Sequence, residues 1–153
     1  MMKKLLSIPT FSVLLLAQLV CAQIESNPAQ GYTRFSDHTV YHSVFNSTMV
    51  KPDVANLHRI TRGKDRMLVN VALVTNGSTD GGLSARVSGS ATNLMQQKKE
   101  LAFKAIVEGD VTYYLAPLRI TNEEIMHFAL EVTPEGAAEP YTVKFSKKLY
   151  VDQ

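Results

Sequence analysis

The sequence has one cysteine, Cys21, and no tryptophan, and neither glycine (8) nor proline (6) is enriched among its 153 residues. A single thiol cannot close a bridge within the chain, which excludes a disulfide-built miniprotein. Apolar residues make up 45% and charged residues 20%, so a disordered tail is excluded as well. No internal repeat or low-complexity stretch is present. What remains is one ordinary globular domain and the core it can bury.

The N-terminus reads as an export signal. Lys3 and Lys4 precede an uncharged apolar stretch from Leu5 to Val20, and Val20 and Ala22 are small residues three and one before a cut after Ala22. Residues 1–22 are expected to be removed, leaving a periplasmic chain that starts at Gln23, has no thiol and has no stable membrane span. The apolar stretch is about 16 residues and carries Pro9, short of the roughly 20 that cross a bilayer. Lipidation of Cys21 is the other reading, but Val20 and Gln18 stand where a small and an aliphatic residue are wanted. Residues 23–31 are expected to be a short flexible segment, and residues 32–153 a single domain.

Without residues 1–22 the chain holds 14 basic and 14 acidic side chains, so the basic excess of a nucleic-acid binder is missing and nucleic acid is excluded as a partner. The charge is uneven along the chain. Residues 47–99 carry eight basic and three acidic groups, residues 100–139 two and eight. Whether that makes two surface poles depends on how strands from the two stretches interleave.

Seven runs have the pattern of strands. Residues 66–75 (RMLVNVALVT) are almost continuously aliphatic, as in a strand covered on both faces. Residues 76–82 concentrate turn formers, so a hairpin to 83–92 is expected. Leu101, Phe103, Ala105 and Val107 alternate, and Glu108-Gly109-Asp110 turns into 111–120, where Pro117 should mark a bulge or an unpaired position. Thr121 to Glu124 has a capping-box pattern, yet Met126, Phe128, Leu130 and Val132 alternate at period two, which favours a strand. The last run, Tyr141 to Asp152, alternates with only Lys147 out of place. An aromatic and β-branched run over 32–45 supplies the first strand, and Pro52 to His58 fits one helical turn. These elements predict an all-β antiparallel sandwich of immunoglobulin-like type with about seven strands, a small barrel being the alternative.

Chemistry is sparse. No Gly-x-Ser-x-Gly elbow exists, and Ser88-Gly89-Ser90 has no base beside it in sequence. The loop from Asn76 has calcium-loop residues at its first, third, fifth and sixth places, but Val87 stands where the bidentate glutamate belongs. Glu123 and Glu124 are adjacent, so a strand would send them to opposite faces as solvated turn residues. Asn46-Ser47-Thr48 and Asn76-Gly77-Ser78 match the glycosylation pattern, which recurs by chance, and no glycan is assigned. Met49, Met67, Met95 and Met126 are scattered, as gap-filling core residues would be. No cofactor is expected.

Two groups stand out. His38 and His42, four apart on a strand, lie about 13 Å apart at a rise of 3.3 Å per residue, so one ion would need a bulge or a third histidine such as His127 or His58. Together with Met126 they supply a metal-handling alternative, for copper or zinc. The densest charge is residues 58–66 (HRITRGKDR), in which Arg59, Arg62, Lys64 and Arg66 surround Asp65. Guanidinium groups favour carboxylates and phosphates, although a solvated loop beside a central strand has the same composition.

The order and spacing of Tyr41 to Val50 (YHSVFNSTMV), Val69 to Val74, Val87 to Leu94 (VSGSATNL) and Phe145 to Asp152 (FSKKLYVD) resemble domain-of-unknown-function family 4426, small exported bacterial proteins. The resemblance implies a periplasmic setting and brings no catalytic residues. Within it, the polar step Asn46, Ser47, Thr48 after an aromatic strand end is a candidate binding element; its structural role would be to cap the turn at Pro52. The leading expectation is a non-enzymatic module for a protein or envelope component, with the basic loop as its surface.

Overall fold

The computed structural model describes residues 25–27, 31–78 and 81–153. The expected signal peptide and Cys21 lie outside them. Among the described residues ten strands build two antiparallel sheets packed face to face: β1 (Glu25–Asn27), β2 (Tyr32–Arg34), β3 (His38–Asn46), β4 (Arg66–Thr75), β5 (Ala85–Asn93), β6 (Lys98–Glu100), β7 (Lys104–Glu108), β8 (Val111–Arg119), β9 (Glu124–Pro134) and β10 (Tyr141–Leu149). One sheet has the order β1-β2-β3-β4-β8-β7 and the other β10-β9-β5-β6. The seven longer strands fall where alternation places them. The other three have three residues each, too few for a period to register.

Two of the three lie in the N-terminal part. Within the segment expected to be flexible, β1 pairs with β2 in the register Glu25↔Arg34 to Asn27↔Tyr32. The run 32–45 is broken at Ser36 and Asp37, where the Asn76 amide donates to Phe35 O (2.8 Å) and Ser36 O (3.1 Å) and fixes a turn between β2 and β3.

The expected β4–β5 hairpin does not form. The Leu83 N–H donates to Leu73 O (2.7 Å) and Thr112 N–H to Gly82 O (2.8 Å), so the chain passes alongside the ends of β4 and β8. It then crosses to the other sheet, where β5 pairs with β9 and β6. A Cβ on Gly82 would stand 2.0 Å from Thr112 O, so this close passage needs glycine. The β7–β8 hairpin forms as expected. Pro117 sits in β8 opposite Leu68, past the end of β7, whose pairing stops at Leu115, so the missing N–H costs no ladder bond there.

The core is the space between the sheets. Val40, Val44, Val69, Val71 and Leu73 of the first sheet meet Phe128, Leu130, Val132, Val143 and Leu149 of the second. Each such side chain withdrawn from water stabilises the fold by about 1.5–3 kcal/mol before entropy is counted. Leu68, Ile106 and Leu115 are buried too, yet they belong to the outer face of the six-stranded sheet. Residues 47–61, with a 3-10 turn (Ser47–Met49) and one short helix, α1 (Pro52–Leu57), connect β3 to β4 and bring Ile60 and Thr61 onto that face. The β4 run is therefore apolar because both of its faces are covered.

Candidate functional site

The loop 58–66 is shaped by how α1 ends. Pro52 opens the helix, where its fixed φ fits and its missing N–H costs nothing. At the other end Ile60 N–H donates to Ala55 O (2.7 Å) and Arg59 N–H to Asn56 O (3.2 Å), the paired bonds of a Schellman motif. That motif wants glycine at its left-handed position. Here the residue is Arg59, at φ 55°. Among the described residues the other two non-glycine residues with positive φ, Gln96 and Glu123, lie in the β5–β6 and β8–β9 turns, at the same end of the sandwich.

This end is firmly fastened. The buried Ser47 hydroxyl accepts from Gly63 N (3.0 Å) and donates to Gly63 O (3.2 Å). Thr48 Oγ1 donates to Asp152 Oδ2, Arg62 Nη2 to Thr48 O (2.8 Å), and Asp152 N–H to Lys64 O (2.9 Å). Asn46 Nδ2 reaches Tyr150 O at 3.4 Å. Asp65 accepts from Arg119 Nε at 2.5 Å, and that guanidinium holds its carboxyl below the usual carboxylate range. Glu124 accepts from Thr121 N (2.8 Å) and from Asn93 Nδ2 (2.9 Å), tying two turns together. The capping-box contact between Thr121 and Glu124 is thus made, but in a turn, and Glu124 is a half-buried tie instead of a solvated carboxylate.

The structure brings Asn46, Ser47 and Thr48 together with the basic loop. Their role differs from the expected one: the caps of the 3-10 turn and of α1 receive no side-chain bond, and the three residues instead tie the loop to the C-terminal segment. Arg62 is also spent within this frame. The side chains of Arg59 and Lys64 make no hydrogen bond or ion pair among the described residues, and the Arg66 stem lies along Gly63.

The two stretches of uneven charge separate only in part, because Glu100, Glu123 and Glu124 of the acidic stretch share the end that holds most of the basic groups, Glu100 pairing with Lys98 and Glu123 with Lys148. Arg62, Lys64, Arg66, Lys98, Lys99 and Arg119 lie at one end, and Asp37, Asp110, Glu135 and Glu139 in loops at the other. Lys98, Lys99 and Arg119 were missed as members of the basic end. The doublet Lys98-Lys99 was the available signal, but only the pairing of β6 with β5 shows where it points.

The histidines do not converge. His38 Nδ1 lies 3.0 Å from the Tyr141 hydroxyl. His42 faces the core, stacked on Phe145 with centroids 4.1 Å apart, and Phe145 stacks on Phe128 at 4.6 Å. Burial first, then the Lys147 ammonium, push the His42 imidazole down to about 4. His127 lies on the opposite, outer face of β9, 2.7 Å from Ser146 Oγ, while its neighbour Met126 is in the core. His58 approaches Glu108 at 3.7 Å. One ion cannot be shared by His38, His42 and His127, and among the described residues no three His, Cys, Asp or Glu side chains are grouped to hold a metal. The His127–Ser146 pair is exposed and has no carboxylate bonded to the other ring nitrogen among the described residues, so nothing orients it as a base. No helix among those residues is long and apolar enough to cross a membrane.

The family model described as Domain of unknown function (DUF4426) matches residues 32–152. Among solved structures the chain is similar to the crystal structure of a DUF4426 family protein from Pseudomonas aeruginosa PAO1, with 31% identity and a TM-score of 0.72 over 81% of this chain and 98% of that one. It is also similar to FetP of uropathogenic Escherichia coli strain F11, expressed in the periplasm of E. coli, at 13% identity and a TM-score of 0.55, covering 80% and 94% of the two chains. A copper-bound variant of FetP is similar at 14% identity and 0.56, covering 80% and 95%. At such identity the likeness to FetP is one of fold. No curated protein matches the sequence.

Proposed function

The chain belongs to the DUF4426 family, and on that premise we propose that it is an exported, non-enzymatic binding module of the bacterial periplasm that engages an acidic protein or envelope component through the basic end of its sandwich. Export is supported by Lys3 and Lys4 ahead of the apolar stretch and by Ala22 at its close. The observation that carries the binding role is Arg59. It is held in a backbone conformation that glycine would occupy without strain, on a loop fastened from four sides, and its guanidinium has no partner within the described residues. Strain of this kind persists where surrounding structure over-determines it, and it clusters at functional positions. A fixed frame also lowers the ordering cost of binding.

Capture from an envelope extract tests this reading. The wild-type chain should retain an acidic partner that Arg59→Glu combined with Lys64→Glu loses, with the thermal midpoint of the double variant unchanged. Equal retention by both proteins removes the loop from the account. Arg62 is left intact in that design, because its bond to Thr48 O belongs to the frame.

A further inference from the structure

Beside the basic loop, on the outer face of the six-stranded sheet, lies a cleft of about 120 Å³. Its floor is apolar, made by Leu68, Ile106, Leu115 and Pro117. The cleft exists because β7 stops opposite Leu115, at Lys104, while β8 continues to Pro117 and beyond. Proline leaves no orphan donor on the stretch of β8 that β7 does not reach. Residues 58–61, turned by the Schellman motif, wall the other side.

The rim is cationic. Arg59, Arg66, Lys104 and His58 line it. His58 is engaged by Glu108, which also accepts from the Tyr113 hydroxyl (2.9 Å), but the Arg59 and Lys104 side chains make no hydrogen bond or ion pair among the described residues. Water would find few polar partners over Leu68, Ile106 and Leu115. An inorganic anion would satisfy the rim and leave the floor empty. A ligand that matches both has a charged head and a short apolar body. The volume agrees, since an apolar cavity of roughly 150 Å³ accommodates benzene.

We propose that this cleft binds a small amphiphilic anion, a carboxylate on a short hydrocarbon chain, with its apolar body on Leu68, Ile106 and Leu115 and its head group between Arg59 and Lys104. The proposal rests on the reading of the basic end as a binding surface, since Arg59 serves both. It adds the ligand class and a second cation from a strand outside the loop.

The test is a titration of the full chain with sodium hexanoate at low ionic strength, followed by amide chemical shifts, with hexanol and acetate as controls. Saturable shifts are expected at Ile60, Thr61, Ile106 and Leu115, with hexanol and acetate each weaker by about tenfold or more, since each lacks half of the match. Lys104→Gln should weaken hexanoate by about five- to tenfold while leaving the spectrum folded. Ile106→Trp, which fills the floor, should abolish binding; if it fails to fold, Lys104→Gln decides alone. Equal shifts from acetate and hexanoate, or shifts scattered over the basic end, overturn the proposal. Neither touches the capture experiment, so envelope capture that survives without hexanoate binding would retain the basic end and discard the cleft.

Discussion

Lys147 points into the sandwich from β10 and donates from Nζ to the main-chain oxygen of Val44 on β3, 2.8 Å away. It occupies the inward side of an edge strand, in line with Val143, Phe145 and Leu149. An inward-pointing charge at an edge makes the addition of another strand costly. The one residue out of pattern in the last run is therefore a bridge between sheets and a guard of the β10 edge. Lys147→Val should restore full alternation, leave the fold in place and raise concentration-dependent self-association, read by sedimentation velocity. A variant that stays as monodisperse as wild type would remove the guarding role.

The same ammonium bears on His42. Folded His42 has its pKa at about 4 against the ordinary 6.5, so between those values the unfolded chain binds the extra proton. Stability from this residue is complete above pH 6.5 and is lost as pH falls toward 4, by about 3 kcal/mol in total. Denaturant unfolding at pH 7 and pH 4.5 should show that loss, and His42→Phe, which keeps the stack on Phe145, should remove most of it. An unchanged pH dependence in the variant would place the acid sensitivity elsewhere.

Ser47 is the hub of the fastened end. Ser47→Ala strips both bonds from Gly63 and should cost about 1–3 kcal/mol, with the midpoint moving and the m-value unchanged. A loss well under 1 kcal/mol would mean that Gly63 finds water in place of the hydroxyl.

Much of the fold was legible because alternation over nine or more residues is decisive, as in β9 and β10. The turn chemistry of residues 76–82 misled: Asn76, Gly77 and their neighbours do turn the chain, but whether it returns in the same sheet depends on β8 lying beside β4, a long-range fact. The three-residue strands carry no periodic signal. At the candidate site, the basic loop could be read from composition, and so could the prominence of Asn46, Ser47 and Thr48. Their partners, Gly63, Tyr150 and Asp152, could not, because 16 to 104 residues separate the bonded pairs. The histidines looked alike in sequence, and burial separates them: His42 faces the core and His127 the exterior, a distinction that strand orientation alone decides. Lys104 was passed over because its importance depends on where β7 stops.

The account rests most directly on Arg59, and Arg59→Gly measures its two sides on one protein. Glycine relieves the left-handed strain at that position and removes the unpaired cation. The account predicts a variant more stable than wild type by about 0.5–1 kcal/mol in denaturant unfolding, after the extra entropy of the unfolded glycine is subtracted, that retains the envelope partner several-fold less well. A variant that gains stability and retains the partner as well as wild type would contradict it, because the strain at Arg59 would then serve no binding role.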